Sequence, residues 1–158
     1  MHLLKEINLK KASTDYQEQY WKKKEDEIGE KIRGKMLAEF NSGYNSFSGP
    51  ILGILFYTEN ALYFQTFPRK NWLYSLLKSR ESLHQDKLLD ILIPWADVKS
   101  IHFPPRKNPF LRIILPRDYR IFIDCWLNKK RTMLIINLQC QTDRKKLFEF
   151  YKKTQDTN

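Results

Sequence analysis

The sequence predicts a mainly β domain: an antiparallel barrel of seven strands, capped by a C-terminal helix and preceded by an N-terminal one. Three observations predict it. After Gly34 the chain breaks into short runs rich in β-branched and aromatic residues, separated by Gly, Pro and Asn. The runs are too closely spaced for a crossover helix between each pair, so antiparallel pairing is expected rather than βαβ units. Helical patterns occur at the two ends.

Residues 1–33 read as a helical extension. Thr14 and Gln17 have the spacing of a capping box. Tyr16, Tyr20, Ile28 and Ile32 fall close to one helical face, with Lys24 interrupting it. Lys22/Asp26, Lys23/Glu27 and Glu27/Lys31 are opposite charges four apart, which support the solvated face. The expectation is a helix of about four turns that docks on the body through Tyr16, Tyr20 and Ile28. Such a helix also offers a route to a homodimer.

Residues 34–158 form the body. Residues 35–40 are a first strand and 41–50 a polar, Gly-rich loop. Residues 51–57 and 61–67 make a hairpin around Thr58, Glu59 and Asn60. A long basic connection over 68–89 follows. Residues 90–103 are one extended stretch that Pro94 bends, because proline removes a ladder donor. Residues 111–115 and 119–124 flank a turn at Pro116, Arg117 and Asp118. Residues 132–138 are the last strand, and Thr142 and Asp143 open a helix that runs to Lys153. The expected inward set is Leu55, Leu62, Phe64, Ile93, Ile101, Ile113, Ile121, Ile123, Leu134, Ile136, Leu147 and Phe150.

With 158 residues, 42 % of them apolar, the chain is sized for one domain with its own core. The net charge of +10 favours an anionic partner. The apolar start is interrupted at Lys5 and Glu6, against a signal peptide. No window approaches the roughly 18 uninterrupted apolar residues of a membrane span. A cytoplasmic protein, at most peripheral to a membrane, is expected, with Cys125 and Cys140 as thiols.

Two stretches carry a family resemblance. Residues 53–64, Gly-Ile-Leu-Phe-Tyr-Thr-Glu-Asn-Ala-Leu-Tyr-Phe, resemble the G-x-L-x-x-T-x-x-x-L-x-F hairpin of GRAM domains, a branch of the pleckstrin-homology-like superfamily. Residues 93–101, Ile-Pro-Trp-Ala-Asp-Val-Lys-Ser-Ile, are similar to the I-P-x-x-D-I-x-x-I stretch that follows it there. The resemblance spans about residues 34–153 and implies a binding module for lipid headgroups, peptides or partner domains. It does not imply a ligand, because one fold hosts many functions. Pleckstrin-homology domains that grip phosphoinositides usually carry Lys and Arg around the first strand loop. Here residues 41–50 carry no cation, which argues against tight inositol-phosphate recognition.

Chemistry is not expected. His2, His84 and His102 are scattered, and no CxxC, HExxH, GxGxxG or phosphate-loop spacing occurs. Asp118 and Asp124 read as turn-forming, solvated acids. No cofactor or metal is implied.

The charge is uneven. No Lys or Arg lies between Met36 and Pro68, whereas residues 69–153 hold nineteen against eight Asp and Glu. Two segments join a Trp-Leu pair to cations: Arg69, Lys70, Trp72 and Leu73 in the third connection, and Trp126, Leu127, Lys129, Lys130 and Arg131 in the sixth. An indole at headgroup depth with cations beside it suits an anionic lipid surface or an acidic protein partner. The same Trp and Leu residues would also serve simply to close the barrel end. Nucleic acid is the rival partner for a basic, aromatic surface, but no RNP, KH or OB signature appears.

Overall fold

The computed structural model describes residues 2–45, 47–66, 88–104 and 118–157. Helix α1 (His2–Ile28) leads into β1 (Gly34–Tyr44), β2 (Phe47–Tyr57) and β3 (Ala61–Thr66). Then come β4 (Asp90–Pro94), a 3-10 turn (Trp95–Asp97) and β5 (Val98–His102). Strands β6 (Arg120–Leu127) and β7 (Lys130–Leu138) precede the final helix α2 (Gln141–Thr157). Every ladder is antiparallel, and the strands form one sheet in the order β4-β3-β2-β1-β7-β6-β5. This is the pleckstrin-homology-like arrangement that the sequence predicts: a seven-strand meander curled around one core, open between β4 and β5, with a terminal helix.

The interior follows from alternation along the strands. Phe40, Leu55, Leu62, Phe64, Ile91, Ile121, Ile123, Leu134 and Ile136 are all buried in one cluster. The inward set is reproduced where it is described, except that Phe150 is only partly buried; Ile113 lies outside the described residues. Leu147 and Tyr151 of α2 seal the interior, and the Tyr151 hydroxyl donates to the Lys99 carbonyl at 3.1 Å. Phe150 packs at the rim against Tyr57 and Trp95, with ring centroids 4.6 and 5.9 Å away.

Four local expectations are corrected. Helix α1 does not start at Thr14 but runs straight through it from His2. Ile28 docks as expected, but its companions are Trp21 and, just beyond the helix, Ile32, and the three pack on Leu52, Ile54, Phe56, Ala61 and Tyr63 of the outer sheet face. The Trp21 ring meets Phe56 edge-on at 5.7 Å, while Tyr16 is 62 % exposed. Between Trp21 and Ile28, the Lys24 stem is largely covered and its ammonium pairs with Glu27, and the Glu25 carboxylate accepts from the Ile32 amide.

The expected loop over 41–50 is instead the end of one strand and the start of the next. Strand β1 carries bulges between Phe40 and Ser42 and between Ser42 and Tyr44, and the chain turns at Asn45, whose φ is 51°. Tyr44 and Phe47 pack on the core from here, while the polar Asn41 and Ser42 are only partly covered. Gly43, at φ 109°, lies so close to the Met133 carbonyl that a Cβ would collide with it.

Residues 90–103 are not one bent strand. Pro94 ends β4, and the 3-10 turn separates it from β5 on the opposite edge of the sheet. The expected strand over 111–115 and the expected turn's Pro116 and Arg117 lie outside the described residues. Finally, β6 and β7 extend well beyond 124 and before 132, so residues 125–131 are a hairpin end rather than a loop.

Candidate binding surface on the β6–β7 hairpin

Strands β6 and β7 are joined by Asn128 and Lys129, with φ of 50° and 63°. Two successive positive φ angles match the two-residue turn whose twist suits a hairpin. The register sets Leu127 opposite Lys130, Trp126 opposite Arg131 and Asp124 opposite Met133. Ile121, Ile123 and Cys125 are buried in the core. Strand alternation therefore turns Arg120, Phe122, Asp124 and Trp126 to the outer face.

Trp126 is 40 % exposed, and the Lys99 ammonium of β5 sits 5.2 Å from its ring centroid. A cation over an indole face is attracted by the ring quadrupole. Arg131, across the ladder from Trp126, reaches diagonally to Asp124: its Nε donates to Oδ1 at 3.0 Å and its Nη2 to Oδ2 at 2.5 Å. Such two-point pairing fixes the guanidinium plane. Asp124 is buried, which corrects its reading as a solvated acid. Arg131 holds its carboxyl below the ordinary value of 3.8, with Lys99 and His102 adding smaller attractions. Acidic residues are rarely buried unless paired, and Arg131 is the pair.

Leu127 is partly buried against the core. Lys129 lies in the turn and Lys130 begins β7, both exposed; neither forms an ion pair with a described residue. Of the five residues predicted here, Trp126, Lys129 and Lys130 thus remain available to a partner, and Arg131 is held by Asp124. Arg69, Lys70, Trp72 and Leu73 lie outside the described residues. The sequence reading missed Lys99 and Asp124. Their signal was the outward phase of each strand, which becomes readable only once the β5–β6 and β6–β7 registers are known.

One hydroxyl and one histidine meet on β5. Ser100 Oγ and His102 Nε2 are 2.7 Å apart, as neighbours on one face of β5 can be. His102 is exposed, and the nearby Asp124 carboxylate is engaged by Arg131 rather than orienting the imidazole. A working base needs such an orienting group and shelter from water. Among the described residues no three His, Cys, Asp or Glu side chains gather as a metal site would require. Cys125 and Cys140 are both unbonded.

No family model matches the chain, and no curated protein matches it. Among solved structures, the C-terminal domain of an unknown protein from Leishmania infantum is similar over 85 % of this chain and 96 % of that one, with 17 % identity and a TM-score of 0.49. The PDZ-RhoGEF DH/PH domains, in complex with GTP-gamma-S activated RhoA, are similar over 80 % of this chain and 29 % of that one, with 11 % identity and a TM-score of 0.46. The fold assignment rests on strand order, register and the terminal helix.

Proposed function

We propose that this chain is a non-catalytic binding module of the GRAM type, which contacts an anionic surface, membrane or protein, through the β6–β7 hairpin. One observation carries the reading. A half-exposed indole, Trp126, lies beside Lys99 and just before the exposed lysines 129 and 130. Each cation near an anionic membrane contributes roughly 1 kcal/mol before screening, and the indole suits the polar–apolar boundary. The GRAM assignment is supported by the roles of the residues that carry the resemblance. Leu55, Leu62, Phe64, Ile93 and Ile101 fill the core, and Thr58 is buried in the β2–β3 turn.

Among the described residues no helix is long and apolar enough to cross a membrane. A cytoplasmic module that meets the membrane from its surface is the localisation this reading requires. The test is sedimentation of the full chain with phosphatidylserine-containing and neutral vesicles across a salt series, with single-stranded nucleic acid in parallel. Salt-sensitive binding to the anionic vesicles, reduced by Trp126→Ala and by Lys129→Glu with Lys130→Glu, is expected for a membrane-contacting module. Tight nucleic-acid binding without vesicle binding would replace this reading with the rival one. A module specific for an acidic protein would bind neither probe.

A further inference from the structure

The two outward faces of the sheet are treated differently. On β2 and β3, Leu52, Ile54, Phe56, Ala61 and Tyr63 are covered by Trp21, Ile28 and Ile32. On β6 and β7, Phe122 and Ile135 form a cross-strand pair and are only half-buried. Beside them, Trp126 is 40 % and Met133 50 % exposed. Apolar side chains grouped on one face, rather than scattered singly, mark a contact surface. Trp is a frequent anchor of interfaces, and Met is the apolar side chain that adapts most readily to a partner.

This face carries three cations, Lys99, Arg120 and Arg131, beside two carboxylates, and the charge left over is positive. The Lys99 ammonium lies over Trp126, and the Arg120 guanidinium lies 6.0 Å from the Phe122 ring centroid. The two neighbouring carboxylates are already engaged, Asp118 by Arg120 and Asp124 by Arg131. The two arginines are satisfied in the same pairs, so an arriving partner meets apolar side chains beside the Lys99 ammonium. The hairpin end itself is polar, being Asn128, Lys129 and Lys130. Met133 and Ile135 lie roughly 10 to 17 Å back along β7 from Lys130. Inserting the tip into a bilayer would leave them uncovered, whereas a polypeptide lying across the strands would cover them.

Resting on the reading of this chain as a binding module, we infer that the outward face of β6 and β7 docks a protein segment in which acidic residues flank an apolar anchor. Phe122, Trp126, Met133 and Ile135 receive the anchor, and Lys99 meets the acidic flank.

The probe is a library of short random peptides displayed on phage and selected against the immobilised full-length chain. Enriched peptides should carry Asp or Glu around a Leu, Phe or similar residue. The corresponding synthetic peptides should shift the amide resonances of Phe122, Trp126, Met133 and Ile135. Met133→Glu should weaken them roughly tenfold or more, and Met133→Ala by less, with thermal unfolding of both variants as the check on folding. A selection without acidic bias, one that yields no binder, or binding that survives Met133→Glu would overturn the inference. So would phosphatidylserine vesicles covering these four amides where peptides do not. The hairpin lysines separate the two readings. If Lys129→Glu with Lys130→Glu abolishes vesicle binding while the selected peptides are indifferent to Met133→Glu, the module stands and this face is not its docking surface. If peptides need Met133 and vesicles never bind, the docking face stands and the membrane role of the hairpin falls.

Discussion

The indole N–H of Trp95 donates to the main-chain carbonyl of Thr58 at 3.0 Å, and the Trp95 amide donates to the Asn60 carbonyl at 2.9 Å. The corner between β4 and β5 is thereby fastened to the β2–β3 turn. Thr58 is wholly buried, and its hydroxyl accepts from the amides of Asn60 and Ala61. From the other side, the Arg33 amide donates to Tyr57 and the Arg33 guanidinium pairs with Glu59. The exit of α1, the hairpin and the corner thus meet at Tyr57, Thr58, Glu59 and Asn60.

Replacing Trp95 by Phe keeps an aromatic ring but removes the indole donor and leaves the buried Thr58 carbonyl without it. The loss of stability should be about 1–3 kcal/mol, read as a lower midpoint in urea with an unchanged slope. Thr58→Val should cost a similar amount, since the amide of Asn60 and the buried amide of Ala61 lose their acceptor. Midpoints equal to the parent's would show that the fastening contributes nothing.

Trp21 and Tyr16 make a controlled pair. Trp21→Ala removes the ring that packs on Phe56 and carries the Lys35 ammonium 4.7 Å from its centroid. It should destabilise by roughly 1–3 kcal/mol. Tyr16→Ala, at an exposed position, should change stability by less than about 0.5 kcal/mol. Equal effects in thermal unfolding would mean that α1 docks by another face.

Asp124 gives a signed pH dependence. Its folded carboxyl titrates below the ordinary value of 3.8, because Arg131 holds the charged form. The stability it contributes is therefore complete above about pH 4 and is lost as pH falls through the lower folded value. Asp124→Asn should be less stable than the parent at neutral pH, and the gap should narrow on acidification. A gap that is constant from neutral pH to acid unfolding would show that the pair does not couple to protons.

Cys125 and Cys140 should differ in reactivity. Burial pushes the Cys125 thiol up to about 11, with Asp124 and Asp97 adding to the shift. Cys140 is partly exposed. Under mildly alkaline conditions iodoacetamide should label Cys140 rapidly and Cys125 only after unfolding, because the thiolate is the nucleophile. Mass mapping of early label on Cys125 would contradict the burial.

The strand alternation was legible because period-two patterning directly reports a face: Ile121 and Ile123 point inward as the sequence implies. The ends of β1 and β2 were not, because their residues are mostly polar and the bulges between Phe40 and Tyr44 break the alternation. Nor was the docking stripe of α1. Lys24 and Glu25 look like solvent residues, yet one lends its stem to the contact and the other binds the Ile32 amide. At the candidate surface, Trp126 and the lysines were readable as residue types beside each other in the chain. The Asp124–Arg131 pair was not, because it spans seven positions and exists only through the hairpin register.

The pairing of β1 with β7 sets Ala38 opposite Leu138, about a hundred residues away. Neighbouring strands elsewhere in the sheet are joined mostly by local hairpins, which form quickly, whereas this closure must first meet a large loop entropy. During synthesis β1 to β4 can zip together while β7 is still unmade. One margin of β1, around Ala38 and Phe40, then stays an open strand edge of the sort that recruits other chains. The last strand is in this sense the protein's own chaperone, and conditions that delay its arrival should raise aggregation before they lower the stability of the finished fold.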